Sequence, residues 1–233
     1  MPRQDIRFSV TFWSRMVVHK EELVHIGGKL TTERLLDAYA HGIFPWPLVE
    51  RGRSILAWFS LDPRCIFEFD RFHVSRRLKQ TYNSGRFCIT SDTDFSGVIC
   101  GCAERHKQEG TWITSEMIEA YTELHRLGYA HSVEAWGSNE LAGGVYGVAL
   151  GGLFAAESMF YRHRDASKVA LVALMRHLKK QNYQLVDIQM KTDHTARFGA
   201  VEITRTEYLH RLQAALRYNN EFGKIPNTCD NAT

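Results

Sequence analysis

The stretch from Gly152 to Gln189 reads strand, helix, strand, and this order limits the possible folds more than any other part of the chain. "GGLFAAESMF" is a run of small and apolar residues. "DASKVALVALMRHLKKQ" has Leu171, Leu174, Met175 and Leu178 at helical spacing, with basic residues in its last turn that suit the helix dipole. "YQLVDIQ" is the next strand. If both strands join one sheet, the crossover makes them parallel and close neighbours. Upstream, "AHSVEAWGSNELAGGVYGVALGGLFAAESMF" divides into three antiparallel strands, with turns at Gly137-Ser138-Asn139 and Gly151-Gly152.

Alternation along the two parallel strands puts Ala155, Glu157 and Met159 on one face of the first. It puts Leu185, Asp187 and Gln189 on one face of the second. On this reading Glu157, Asp187 and Gln189 converge on one cavity wall. A carboxylate in an apolar run is costly unless paired or solvated. Asp187 and Gln189 supply an acceptor and a donor. A carboxylate can accept a proton or orient an amine, and an amide can donate to a developing oxyanion. From spacing alone, a buried polar pair satisfied by nearby backbone is the favoured reading, because most buried polar pairs are structural.

The rest of the chain divides in two. "LTTERLLDAYAHGIFPW" is a helix capped by Thr31 or Thr32, with Leu35, Leu36 and Tyr39 as its apolar stripe. Gly42 closes it and Pro45 stops it. A loop of Pro, Gly and aromatic residues follows, from Phe44 to Pro63. This division gives a small N-terminal α/β domain over residues 1–70 and a larger one over residues 71–233. In the larger part, "RFCITS" reads as a strand. "DFSGVICGCAERH" and "SEMIEAYTELHRLG" read as helices, the second capped by Ser115. "NTCDNAT" reads as a loose tail.

Several chemistries find no motif. There is no H-E-x-x-H, and His125 and His131 do not share a helical face, so no metal site is expected. There is no G-x-S-x-G and no Walker loop, and "GGVYGVALGG" lacks dinucleotide-loop spacing. Five cysteines without a framework read as free thiols in a reducing cytosol. "FSVTFW" meets Arg15 at once and does not resemble a signal peptide. Gly143 to Ala156, the longest stretch of low polarity, is too short and glycine-rich to span a bilayer. A cytoplasmic protein without membrane contact is expected.

An antiparallel sheet feeding a strand-helix-strand unit resembles the acetyltransferase layout. "HRLGYA" has the outline of the coenzyme A loop, but His125 stands where Gln or Arg is needed. It also ends a helix, whereas a phosphate cradle begins one. A formal charge of +3 permits a nucleic-acid partner without demanding it. Phe44, Trp46, Trp58, Phe59 and Trp112 can line a pocket or stack on bases. Arg71, Arg76, Arg77 and Lys79, with Arg162, Arg164 and Lys168, can meet phosphates.

The motifs "HGIFPW", "WFSLDPR", "EGTWIT", "MIEAYTELHRLGYAHSVE", "GGVYGVALGGLFAAESMFYR", "DASKVAL" and "LVDIQ", in this order, resemble the leucyl/phenylalanyl-tRNA–protein transferases. The resemblance runs from about "IGGKL" to "FGAVEITR". It implies an α+β fold, with a small N-terminal domain packed on an acetyltransferase-like mixed-sheet domain. It implies transfer of leucine or phenylalanine, and less well methionine, from the 3′ end of aminoacyl-tRNA to proteins beginning with lysine or arginine. The product enters N-end degradation, and no cofactor is required.

By the same resemblance, Glu157, Asp187 and Gln189 match the catalytic centre. Val145, Phe154, Met159, Leu174 and Val186 match the amino-acid pocket. Trp112 matches the site of the tRNA 3′ end, and Trp58 and Tyr121 join the substrate-binding set. Ala156 departs from the family's usual Gly and Leu61 from its usual Pro, and one extra residue stands near Ala57. Two other readings stay open: an acyl-coenzyme A-dependent N-acyltransferase, and a non-catalytic module for tRNA ends or basic N-termini.

Overall fold

The computed structural model describes residues 22–50, 53–106 and 112–228. The "FSVTFW" stretch, Cys229 and the tail after Thr228 lie outside the described residues. The elements are β1 (Leu23–Ile26), α1 (Thr32–Ala40), β2 (Phe44–Pro45), β3 (Leu48–Glu50), β4 (Arg53–Ile55), β5 (Ala57–Phe59), β6 (Arg64–Phe67), α2 (Arg76–Asn83), β7 (Cys88–Ser91), α3 (Phe95–His106), α4 (Ser115–Arg126), β8 (Ala130–Gly137), β9 (Glu140–Leu150), β10 (Leu153–Tyr161), α5 (Ala166–Lys180), β11 (Leu185–Asp187), α6 (Asp193–Ala196), β12 (Val201–Ile203) and α7 (Arg205–Ala215). Among the described residues, the strands form a three-stranded sheet β1-β5-β2, a β3-β4 hairpin and a seven-stranded mixed sheet β12-β6-β11-β10-β9-β8-β7.

Strands β8, β9 and β10 run antiparallel, and β10 pairs in parallel with β11, with Ala155 opposite Asp187. Ser138 and Asn139 both have positive φ, 52° and 65°, which is the backbone of a type I′ hairpin turn. The helix α5 closes one face of the sheet. Its Leu171, Leu174, Met175 and Leu178 are buried with Val145 and Phe154. On the other face α3 and α4 form a second cluster, which they share with Leu35, Tyr39, Phe44 and Trp58 of the N-terminal part. The two parts therefore bury a common apolar core.

Three local expectations differ. The stretch Phe44–Pro63 contains short strands rather than an unbroken loop. The cap of α4 is Thr114, whose side chain accepts from the Met117 N–H, and not Ser115. The strand β6 already belongs to the large sheet, so the N-terminal region hands over to that sheet at Arg64.

Candidate active site

Strand β10 does not alternate throughout. Ala156 pairs with Gly147 and Ser158 with Tyr146, so Glu157 is the extra residue of a β-bulge. The bulge reverses the parity of the strand. Phe154, Ala156 and Met159 share the α5 face, while Ala155 and Phe160 share the other. The expected common face for Ala155, Glu157 and Met159 is thus corrected. Gly147 makes room for the bulge, because a Cβ there would lie 2.3 Å from the Ala155 carbonyl oxygen.

The bulge delivers Glu157 to the junction of the two parts. Tyr39 Oη of α1 donates to its Oε1 at 2.7 Å, and Tyr121 Oη of α4 donates to its Oε2 at 3.2 Å. The two phenolic oxygens are themselves 2.5 Å apart. Three oxygen–oxygen contacts share two phenolic protons, and a proton on the carboxyl group completes the set. Burial pushes the Glu157 carboxyl up to about 7, and the Asp187 charge adds to this. Hydrogen bonds from Tyr39 and Tyr121 and the Arg64 charge work in the opposite direction. Burial also raises Tyr39 and Tyr121 well above the ordinary phenol range, which keeps both as neutral donors.

Asp187 ends β11 and is fully buried. Its Oδ1 accepts from Arg64 Nε and the Gln189 N–H, both at 2.9 Å. Its Oδ2 accepts from Arg64 Nη2 at 2.6 Å and Tyr208 Oη at 2.8 Å. Gln189 lies beyond the strand, in a left-handed turn with φ 55°. Asp187 and Gln189 therefore do not share a strand face. In one orientation the Gln189 amide places Nε2 3.4 Å from Glu157 Oε1. Turned over, the same nitrogen donates to the Ala156 and Ile188 carbonyl oxygens at 3.1 Å.

Glu157 and Gln189 open onto a cavity of about 730 Å³. Its apolar wall includes Phe67, Val145, Ala156, Met159, Leu171 and Ile188, and its rim carries Arg164, Lys168 and Arg197. Trp46 and Trp112 also line it, with ring centroids 4.7 Å apart and planes 20° from parallel. Lys168 Nζ meets Asp165 Oδ1 at 2.7 Å, so part of the rim charge is compensated. Among the described residues, no group of three His, Cys, Asp or Glu side chains could hold a metal ion. No helix among them is long and apolar enough to cross a membrane.

A family model described as leucyl/phenylalanyl-tRNA protein transferase matches residues 66–213, and one described as the N-terminal domain of that enzyme matches residues 28–62. The chain belongs to the leucyl/phenylalanyl-tRNA–protein transferase family. A relative of that name from Solidesulfovibrio magneticus is 50% identical over 210 residues, covering 88% of this chain and 84% of its own. Another from Oleidesulfovibrio alaskensis is 52% identical over 204 residues, covering 84% and 81% respectively.

In this member of the leucyl/phenylalanyl-tRNA–protein transferase family, the expected site residues are only partly gathered. Glu157, Gln189, Val145, Met159 and Trp112 line the cavity, and Tyr121 reaches it through Glu157. Phe154, Leu174 and Val186 are buried behind its wall. Leu171, one helical turn before Leu174, and Ile188, two residues after Val186, face the cavity instead. Asp187 is saturated and does not line the cavity. Trp58 lies in the core of the small sheet, its Nε1 donating to the Gly27 carbonyl at 3.0 Å. Tyr39, Arg64 and Tyr208 were not among the expected residues. The first was visible only as part of the apolar stripe of α1.

Proposed function

We propose that this chain transfers leucine or phenylalanine, and less well methionine, from aminoacyl-tRNA to the α-amine of proteins beginning with lysine or arginine. The observation that carries this reading is one enclosed carboxyl group, with an amide beside it, at the floor of a cavity whose wall is apolar and whose rim is cationic. The apolar wall suits the side chain of the transferred residue. The stacked Trp46–Trp112 pair suits the terminal base of the tRNA, and Arg164, Lys168 and Arg197 suit its phosphates.

The ester of an aminoacyl-tRNA is already activated, so positioning and proton movement are what the site must supply. The acceptor nitrogen attacks the ester carbonyl carbon, forming the C–N bond. The C–O bond to the ribose then breaks, and one proton passes from nitrogen to the ribose oxygen. Glu157, raised to about 7, is matched to take that proton and return it. The Gln189 amide lines the same cavity, and its assigned role is to donate to the carbonyl oxygen as it gains charge. Accepting from four donors, Asp187 holds this arrangement in place.

Membership of the family and the β-α-β unit behind an antiparallel sheet also support an acetyltransferase-like fold for the larger part, a division into two domains at the handover to β6, cytoplasmic location and a role in N-end degradation. The test is incubation of the purified protein with leucyl-tRNA and a peptide beginning with arginine, without ATP. A peptide lengthened by one leucine supports the reading. An unmodified peptide refutes it.

A further inference from the structure

Arg64 is among the largest side chains fully buried in the protein. Its guanidinium lies 4.7 Å from the Phe44 ring centroid and 4.5 Å from that of Tyr208. Three of its donors are engaged, two by Asp187 and the third, Nη1, by the Gly42 carbonyl at 3.1 Å. It therefore ties the end of the α1 region to the end of β11. A buried ion pair is not by itself a source of stability, because desolvation offsets the attraction. Here every acceptor position of the carboxylate facing Arg64, Tyr208 and the Gln189 N–H is used, so Asp187 holds one geometry. That geometry has a consequence next to the cavity, since a left-handed backbone is unfavourable for a residue with a side chain. Gln189 adopts it while its N–H is bound to Asp187 Oδ1 and its carbonyl accepts from the Cys65 N–H at 3.0 Å.

We propose that Arg64 and Tyr208 are positioning residues for the transfer: by saturating Asp187 they fix the left-handed turn at Gln189 and so hold its amide against Glu157 at the cavity floor. Neither side chain lines the cavity, and neither touches substrate. The proposal rests on the aminoacyl-transfer reading of the cavity. It assigns to the Arg64–Asp187–Tyr208 cluster the role of setting the turnover step rather than binding the tRNA.

The informative variant is Tyr208→Phe, which removes one hydrogen bond to Asp187 and keeps the ring over Arg64. Loss of a hydrogen bond to a charged group is expected to lower kcat about tenfold or more, with KM for leucyl-tRNA unchanged. Because Oδ2 loses a donor, the amide proton resonance of Gln189 is also expected to shift. Arg64→Lys keeps the charge but loses the paired donors, and its kcat is expected to fall further. Melting curves identify the temperature at which each variant is folded, and kinetics are measured below it. A folded Tyr208→Phe with kcat within twofold of the native value, or with its loss entirely in KM, overturns the proposal. So does an unmoved Gln189 resonance. Failure of the native chain to transfer leucine would instead overturn the transfer reading, so the two failures are distinct.

Discussion

Replacing Glu157 with Gln is expected to stabilise the protein relative to the native chain by an amount that grows with pH. The cause is the rise of the carboxyl from 4.5 to about 7, produced first by burial and then by the Asp187 charge. At about 1.4 kcal/mol per unit, full ionisation in the folded state costs about 3 kcal/mol relative to the unfolded chain. Partial opening to the cavity reduces this to about 2 kcal/mol. The unfolded carboxyl gives up its proton near 4.5 and the folded one near 7, so between these values the unfolded state binds fewer protons. Stability contributed by the protonated form is complete below the lower value and is lost as pH rises through the upper one. Gln keeps the shape, its carbonyl oxygen accepts from one tyrosine while its NH2 donates to the other, and it does not ionise. Urea unfolding of both proteins at pH 5 and pH 8 measures the effect. The variant's advantage should widen by about 2 kcal/mol between those two pH values. A gap that stays constant, or that moves in favour of the native chain as pH rises, refutes the argument that this carboxyl is held near neutrality.

Other perturbations test the cavity. Trp112→Ala removes half of the stacked pair and should weaken use of leucyl-tRNA by about 1–3 kcal/mol in kcat/KM, measured at low substrate. Transfer at subsaturating tRNA should fall as salt rises. Removing the charge of Lys168 or Arg197 should make the log–log slope shallower by roughly one per lost phosphate contact. The wall of Val145, Met159 and Leu171 should discriminate leucine from its β-branched isomer by about 1–3 kcal/mol, so equal transfer from isoleucyl-tRNA would remove the pocket assignment.

Regular periodicity made the scaffold legible. The three-stranded meander, the long helix α5 and the parallel return of β11 each follow from local patterns of apolar residues and turn residues, and each is present. The site itself depends on departures from regularity. One extra residue at Glu157 exchanges the faces of β10 beyond it, and nothing in "AAESM" distinguishes a bulge from a continuous strand. The left-handed turn at Gln189 likewise takes it off the face that alternation assigned. Partners distant in sequence were least legible. Arg64 is 123 positions from Asp187 and Tyr39 is 118 from Glu157. An arginine at the head of the apolar run "RCIF", next to a buried aspartate elsewhere, is the one signal that could have paired them. Of the residues expected in the amino-acid pocket, Val145 and Met159 line the cavity, whereas Leu174 and Val186 lie behind the wall that Leu171 and Ile188 form.

The most direct test of the central claim is the pH dependence of single-turnover leucine transfer to an arginine-initiated peptide, below pH 6. With Glu157 as proton acceptor, both the acceptor amine and the carboxyl must lose a proton, and the logarithm of the rate should rise with pH at a slope near two. In Glu157→Gln the amine alone titrates, and the slope should fall to about one with a reduced rate. The same slope in both proteins would contradict the account.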